Sequence, residues 1–225
     1  LEVKRGQRVK KAPAPFTTST LQQEASKALN FSIQKTMRLA QQLYEGVDIK
    51  GQGTVALITY LRTDSMRVSE EAAEMAKEYI GKAYGAEYVL ANHAQKQNTA
   101  KIQDAHEAIR PTDITRTPVF VKESLPRDLF RLYQLIWKRF TASRMSDAVY
   151  ETTSVTIGAG DYRFHVSASK VAFDGFLSVY AGDEDEKAQG NVLLKALDEK
   201  TGLALQELEE KQHFTQPPAH YTEAS

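Results

Sequence analysis

The hydrophobic periodicity changes once along this chain, near Ala148. Before that point apolar residues recur at helical spacing, and after it they alternate with polar residues. A repeat of about 3.6 residues is typical of an amphipathic helix, whereas a repeat of about two is typical of a half-buried strand. The sequence therefore predicts an α+β protein in which a mostly helical domain precedes a β-rich domain.

Four helices are predicted in the first part, because each begins with a recognisable N-terminal signal and three of them show an apolar stripe. Ser19 and Gln22 have the spacing of a capping box, and Ser32 and Ser69 are typical N-cap residues. Pro126 suits the first turn of the longest helix.

The second part contains a predicted β-hairpin. Residues 151–157 and 162–166 alternate in polarity, and a turn-forming segment at 158–161 separates them. Residues 170–180 are expected to continue as extended chain that is interrupted at Asp174 and Gly175, and 191–208 as a further strand.

Composition argues against several classes of protein. The sequence has no apolar run long enough for a membrane span, no secretory signal and no cysteine, so it suits a cytoplasmic protein. Lys plus Arg number 29 and Asp plus Glu also number 29, which argues against a histone-like DNA coat. A local basic surface can still bind phosphates.

Both ends of the sequence are abrupt. There is no initiator Met, and the chain stops soon after Pro217 and Pro218, so we expect a fragment of a longer protein. The N-terminal segment is rich in cations, which we interpret as a solvated lead-in to a domain: Lys4, Arg5, Arg8, Lys10 and Lys11.

The most β-like run of the helical part covers residues 54–60 and ends in Tyr60. If the extended conformation persists for two more residues, Tyr60 and Arg62 point to the same face. A phenol beside a guanidinium is a candidate nucleophile for phosphoryl transfer, because a cation favours the phenolate and Arg offers paired donors to phosphate oxygens. On spacing alone, a Tyr in this position is more often a residue at the edge of the core.

A second polar group consists of His106 and Arg110, just before Pro111. On a helical turn these two side chains share a face, where both can hold a phosphate. Spacing alone favours an ordinary surface patch of ion pairs instead. His165 and His213 have no second ligand at metal spacing, and we interpret them as structural or exposed.

Several strings, in this order, closely resemble the bacterial type IA DNA topoisomerases. They are residues 15–25 (PFTTSTLQQEA), 43–46 (LYEG), 58–65 (ITYLRTDS) and 106–111 (HEAIRP). Residues 213–218 (HFTQPP), followed by YTEAS, resemble the start of the family's next domain. The string ITYLRTDS is highly specific, and the resemblance spans essentially the whole chain.

The resemblance implies ATP-independent relaxation of negatively supercoiled DNA. One strand would be cleaved through a 5′-phosphotyrosine intermediate, a second strand would pass, and the break would be resealed. By position in the motifs, Tyr60 would be the nucleophile and Arg62 would stabilise the transition state. Contacts to DNA would come from Arg62, Asp64, His106 and, by extension, Arg110.

The resemblance also implies a toroidal protein. Residues 16–146 would form the tyrosine domain, residues 1–15 and 147–216 would belong to a β-rich hinge domain, and residues 217–225 would begin the next domain. The enzyme would act as a monomer on single-stranded regions of DNA in the bacterial nucleoid.

The Mg²⁺ of these enzymes is implied to be bound by a Toprim domain that this sequence lacks, so no metal ligands are expected here. We interpret the acidic cluster at Asp183 and Asp185 as a solvated loop. The isolated chain is therefore expected to be inactive. The alternative is a non-catalytic module that binds single-stranded DNA or serves as a hinge.

Overall fold

The computed structural model describes residues 2–90, 106–181, 202–207, 209–218, 220–221 and 223–224. The α-helices of these segments are α1 (Thr18–Leu29), α2 (Ile33–Glu45), α3 (Glu70–Ala83), α4 (Pro118–Val121) and α5 (Arg127–Ser143). The strands are β1 (Glu2–Lys10), β2 (Val47–Ile49), β3 (Gly53–Val55), β4 (Ala148–Ala159) and β5 (Tyr162–Phe173). The predicted α+β class is confirmed.

Three of the four predicted helix starts are confirmed. Ser32 and Ser69 cap α2 and α3, since each side chain accepts a hydrogen bond from a backbone N–H of the first turn. Pro126 precedes α5, where its missing N–H costs no helical hydrogen bond.

The predicted start of α1 is wrong. The capping box is formed by Thr17 and Thr20 rather than by Ser19 and Gln22. Thr17 N donates to Thr20 Oγ1 over 2.9 Å, and Thr20 N donates in return to Thr17 Oγ1. The hydroxyl of Thr20, at the third helical position, therefore accepts the capping hydrogen bond that the prediction assigned to the side-chain amide of Gln22. The helix accordingly begins earlier than predicted.

Helix α5 lies at the centre of the helical body, because α1, α2 and α4 all pack against it. Its inward face is apolar and buried, with Leu132, Ile136 and Phe140 almost fully enclosed. Two larger side chains form hydrogen bonds through their polar atoms within this core. Tyr133 Oη donates to Arg116 O (2.6 Å), and Trp137 Nε1 donates to a carbonyl oxygen nearby (2.8 Å).

A three-stranded antiparallel sheet extends from this body in the order β1-β4-β5. β1 pairs with β4 along its whole length, from Glu2 opposite Thr156 to Lys10 opposite Ala148. The basic N-terminal segment is therefore a regular strand, and its interpretation as a mere lead-in is wrong. Pairing with β4 satisfies its backbone hydrogen bonds in a way that the local sequence does not reveal.

The predicted hairpin is confirmed, although its strands are longer and its turn is tighter than predicted. Ala159 is paired with Tyr162, so only Gly160 and Asp161 form the turn. Gly160 has φ 61°, a conformation that suits glycine in a two-residue hairpin turn.

The chain after β5 differs from the prediction of extended structure up to residue 180. A 3₁₀-helix covers Gly175–Tyr180, because Phe176 and Val179 turn inward and are buried against the body. Of the strand predicted at 191–208, residues 191–201 and 208 lie outside the described residues, and 202–207 have no regular secondary structure. Asp183 and Asp185 also lie outside the described residues. Among the described helices, none combines the length and hydropathy that a membrane crossing requires.

Candidate active site

Tyr60 lies on an irregular segment between β3 and α3. The predicted strand over 54–60 is wrong as a continuous element, because β3 ends at Val55 and Leu57 N donates instead to Leu43 O on α2 (2.8 Å). Beyond that contact, Ile58 forms an isolated antiparallel bridge with Pro111. Two backbone hydrogen bonds flank this bridge, from Thr59 N to Arg110 O and from Thr112 N to Leu57 O (both 3.0 Å).

Exposure alternates along the segment that follows. The side chains of Tyr60, Arg62 and Asp64 are exposed, whereas those of Leu61 and Thr63 are buried. Buried residues anchor the chain to the body at every second position, and the candidate reactive side chains are left facing solvent. The placement of Tyr60 and Arg62 on one exposed side agrees with the period-two prediction.

Thr18, at the first position of α1, holds the backbone on both sides of Arg62. Its hydroxyl lies 2.8 Å from Leu61 O and 3.1 Å from Thr63 O, to either of which it can donate. The same hydroxyl accepts from Thr63 N (2.8 Å), and Thr18 N donates to Thr63 O (2.8 Å). Arg62 therefore projects from a backbone that is fixed immediately before and after it.

Thr59 provides a similar attachment on the other side of Tyr60. Its hydroxyl donates to Ala108 O (2.8 Å) and accepts from Arg110 N (3.0 Å), while Thr59 N donates to Arg110 O (3.0 Å). These bonds hold the segment of His106 beside the segment of Tyr60, although the two are far apart in sequence.

An aromatic cluster surrounds the candidate nucleophile. The Tyr44 ring, from the last turn of α2, meets the Tyr60 ring edge-on with centroids 5.5 Å apart. The His106 ring stacks on Tyr60 with centroids 6.0 Å apart and an interplanar angle of 29°. These two rings restrict the orientation of Tyr60, which is still 42% exposed.

Arg62 and Asp64 are available for an external ligand. Within the described part of the chain, neither side chain forms a hydrogen bond or an ion pair. An exposed guanidinium whose five N–H donors are uncommitted can bind a phosphate in bidentate fashion.

Arg110 differs from its prediction in conformation and in surroundings. Residues 106–110 form no helical turn, because Ala108 N and Ile109 N donate to distant carbonyl oxygens and Pro111 disfavours helical geometry at the residue before it. The Arg110 side chain is only 13% exposed and binds Glu107 Oε2 through Nε and Nη2, both at 2.7 Å. Nη1 also donates to Pro111 O (3.0 Å), so this guanidinium is already occupied.

Among the described residues, metal-ligating side chains do not converge on this site. The described residues contain no group of three or more His, Asp or Glu side chains that could hold a metal ion. His165, one of the histidines considered above, lies 3.1 Å from Thr156 Oγ1 through its Nδ1 on the β-sheet.

The sequence patterns brought Tyr60, Arg62 and His106 into consideration, and the structure brings Tyr60 and His106 into ring contact. The patterns did not indicate Thr18, Thr59 or Tyr44 as parts of the site, since each acts through contacts between segments remote in sequence. Only the string at the start of α1, where residues 17–20 all carry hydroxyl side chains, hinted at a polar role there.

Two comparisons relate this geometry to known proteins. The family model for DNA topoisomerases matches residues 1–225. Among solved structures, the full-length topoisomerase I of Thermotoga maritima is similar, with a TM-score of 0.71 and 45% sequence identity. The match covers 80% of this chain and 29% of that chain, so this chain spans less than a third of that relative's length.

Proposed function

Because the chain belongs to the bacterial type IA family of DNA topoisomerases, we propose that Tyr60 is the nucleophile that cleaves one DNA strand. Its Oη would form a bond to a backbone phosphorus as the bond from that phosphorus to the 3′-oxygen breaks. The phenolic proton would be lost, the departing oxygen would gain a proton, and a 5′-phosphotyrosine link would remain. One phosphodiester replaces another, so no ATP is required.

The observation that carries this proposal is the exposed and oriented ring of Tyr60. Tyr44 and His106 contact it on two sides, and Thr59 fixes the backbone beside it. A nucleophile held close to its attack geometry avoids part of the entropic cost of the reaction.

Arg62 is the proposed stabiliser of the transition state. Its exposed guanidinium is unpaired within the described residues, and Thr18 holds the backbone on both sides of it. Charge accumulates on the phosphate oxygens during transfer, and a preorganised bidentate donor stabilises that charge. Asp64 and His106 are proposed to contact DNA near the same phosphate.

Arg110 is less suited to the DNA contact that its motif position suggested. Its donors are engaged by Glu107 and by Pro111 O, so a phosphate would have to displace an ion pair that is largely buried. We therefore assign it the task of supporting the segment that carries His106.

The complete reaction is proposed to be relaxation of negatively supercoiled DNA by cleavage, strand passage and religation. Thermotoga maritima topoisomerase I is more than three times as long as the part of it that this chain matches. We propose that residues 16–146 form its tyrosine domain and that residues 1–15 and 147–216 contribute to a β-rich hinge. The pairing of β1 with β4 and a hydrogen bond from Ala12 N to Asp147 (2.8 Å) support this division.

The Mg²⁺ of the reaction is proposed to be held by another domain, because the described residues do not offer a set of ligands that fits it. The chain alone would then be inactive in relaxation. The complete enzyme is proposed to act as a monomer on single-stranded regions of DNA in the cytoplasm.

The proposal is tested with Tyr60→Phe in the complete enzyme, with Tyr162→Phe as a matched change at another exposed tyrosine. Tyr60→Phe retains the ring and its contacts but lacks the attacking oxygen. We expect it to fold normally and to form no covalent complex with labelled single-stranded DNA, whereas Tyr162→Phe forms as much as the unmodified enzyme. Cleavage by Tyr60→Phe would refute the assignment.

A non-catalytic module that binds single-stranded DNA is the second candidate function. It is favoured by the lack of a metal-binding group among the described residues. DNA binding with no covalent link, in the complete enzyme with Mg²⁺ present, would support this candidate instead.

A further inference from the structure

The β1-β4-β5 sheet has two unlike faces. Residues that are paired across antiparallel strands share a face, and successive residues of a strand alternate between faces. The register places Lys4, Ser154 and Ser167 in one cross-strand row. We call this side the hydroxyl face and define it by Lys4, Arg8, Ser154, Thr156, Arg163 and Ser167.

Side-chain contacts agree with this assignment of faces. The Arg8 guanidinium lies 5.0 Å from the ring centroid of its cross-strand partner Tyr150. Arg163 lies against Gly158, where an added Cβ would be 3.3 Å from Arg163 Nη1. The hydroxyl of Thr156 likewise contacts the ring of the residue opposite to it.

The opposite face carries the apolar side chains of the outer part of the sheet, whereas Ala148 and Tyr150, on the side of the hydroxyl face, pack against the core of the body. Val3, Val155 and Val166 form a single row there, and Val155 is almost completely buried. Ile157 and Phe164 continue the apolar surface. Apolar packing therefore does not require the polar residues of the hydroxyl face, which are mostly exposed.

The hydroxyl face is positively charged, although the chain as a whole has equal numbers of cationic and anionic side chains. Lys4, Arg8 and Arg163 lie on it, and Glu2 is the only carboxylate that the register of these three strands places on the same side of the sheet. The pair of Glu2 with Lys4 (3.0 Å) is formed by two exposed side chains. Such a pair is weak and is screened by salt, so a phosphate can replace it.

We propose that the hydroxyl face binds the sugar–phosphate backbone of DNA, as a second contact separate from the Tyr60 site. Lys, Arg, Ser and Thr side chains are the groups that proteins use to contact phosphate oxygens. Lys4 and Arg8 are four residues apart on β1, which corresponds to ~13 Å along a strand. Gly6 lies between them and has no side chain, so the DNA backbone can approach the sheet closely there.

This contact recognises charge and shape rather than sequence. The three cations would neutralise phosphates, while the hydroxyls of Ser154 and Ser167 would donate to phosphate oxygens between them. Arg163 would do so through its remaining N–H groups, because its Nη1 donates to Gly160 O and Tyr162 O (3.1 and 3.0 Å). Affinity should therefore fall steeply as salt rises, because the release of counterions drives such binding. The inference rests on the proposed function only in taking DNA as the partner.

The test is a salt titration of the binding of a fluorescein-labelled single-stranded oligonucleotide by the 225-residue chain. All proteins carry Tyr60→Phe, so that no covalent reaction contributes to the signal. The face variant combines Lys4→Gln, Arg8→Gln and Arg163→Gln. The matched control removes the same charge elsewhere through Lys122→Gln, Arg127→Gln and Lys170→Gln, the last of which lies on β5 but on the opposite face.

The three lost phosphate contacts should reduce the slope of log Kd against log salt by about 2, and should weaken binding about tenfold at low salt. The control should keep the original slope, and thermal unfolding should show both variants folded. Equal losses in the two variants would mean that only net charge matters and would overturn the proposal. The proposal would also be overturned by an unchanged slope in the face variant. Polyglutamate that binds as tightly as the oligonucleotide would overturn it too, because it would indicate an acidic protein as the partner.

A failure of this test leaves the proposed role of Tyr60 untouched, because the covalent reaction is assayed separately. A failure of Tyr60→Phe to abolish cleavage would, conversely, leave the backbone contact standing.

Discussion

Thr18→Val removes one hydroxyl while preserving the shape of the side chain, and it tests how the backbone holds Arg62. The hydroxyl has a single proton, so it donates to either Leu61 O or Thr63 O and also accepts from Thr63 N. The variant therefore loses two hydrogen bonds. At ~1 kcal/mol each, the loss of stability should be about 2 kcal/mol, or about 4–8 °C in Tm for a chain of this size.

The expected effect on cleavage follows from the position of these bonds. Both adjoin Arg62, so their loss allows the guanidinium to move relative to the phosphate. A displacement of ~1 Å in a preorganised group can reduce a rate by ~10²-fold. We expect the single-turnover rate of DNA cleavage by the complete enzyme to fall by at least about tenfold, while the Kd for the oligonucleotide changes by less than about threefold.

Two further variants separate positioning from stability. Thr18→Ser keeps the hydroxyl and should restore most of the cleavage rate. Thr141→Val removes another buried hydroxyl, which donates to Trp137 O (2.9 Å) within α5, and should lower Tm without slowing cleavage. If Thr18→Val lowers Tm but cleaves at the normal rate, Thr18 does not position Arg62 and the reasoning is refuted.

Arg62→Lys should reduce cleavage at saturating DNA by ~10²-fold, because a lysine keeps the charge but loses the bidentate donor; an unchanged rate would place Arg62 outside the reacting centre. Arg110→Gln should lower the free energy of unfolding by about 1–3 kcal/mol, with Glu107→Gln as the matched change, because the ion pair is mostly shielded from water. For Arg110→Gln, the slope of log Kd for DNA against log salt should stay the same, and a reduced slope would restore Arg110 as a DNA contact. Gly175→Ala places a Cβ 2.5 Å from a backbone oxygen at a residue with φ 49°. It should lower the free energy of unfolding, measured by urea denaturation, by at least about 2 kcal/mol. Gly160→Ala has open space around it and should cost less.

Local signals in the sequence predicted the local parts of the fold well. Ser32 and Ser69 cap their helices because a hydroxyl beside the first turn needs no distant partner. The hairpin turn depends only on adjacent residues, including Gly160. Tyr60 and Arg62 could be singled out because a specific string contains both.

The remaining features depend on contacts between segments that are remote in sequence. Thr18 bonds to residues near Arg62, and Thr59 bonds to the segment of Arg110, so neither role is visible in a local pattern. The helical turn predicted before Pro111 gave way to extended chain because tertiary hydrogen bonds outweigh a local preference. β1 became a strand through its pairing with β4, which lies more than half the chain away.

The central claim is that Tyr60 becomes covalently attached to a 5′-phosphate of DNA. The most direct test is to trap the complete enzyme on a labelled single-stranded oligonucleotide, digest the complex, and identify the modified peptide and the DNA end by mass spectrometry. We predict a nucleotide linked through its 5′-phosphate to the peptide that contains Tyr60, with a free 3′-hydroxyl on the other DNA fragment. Attachment at any other residue, or a link through a 3′-phosphate, would contradict this account of the site.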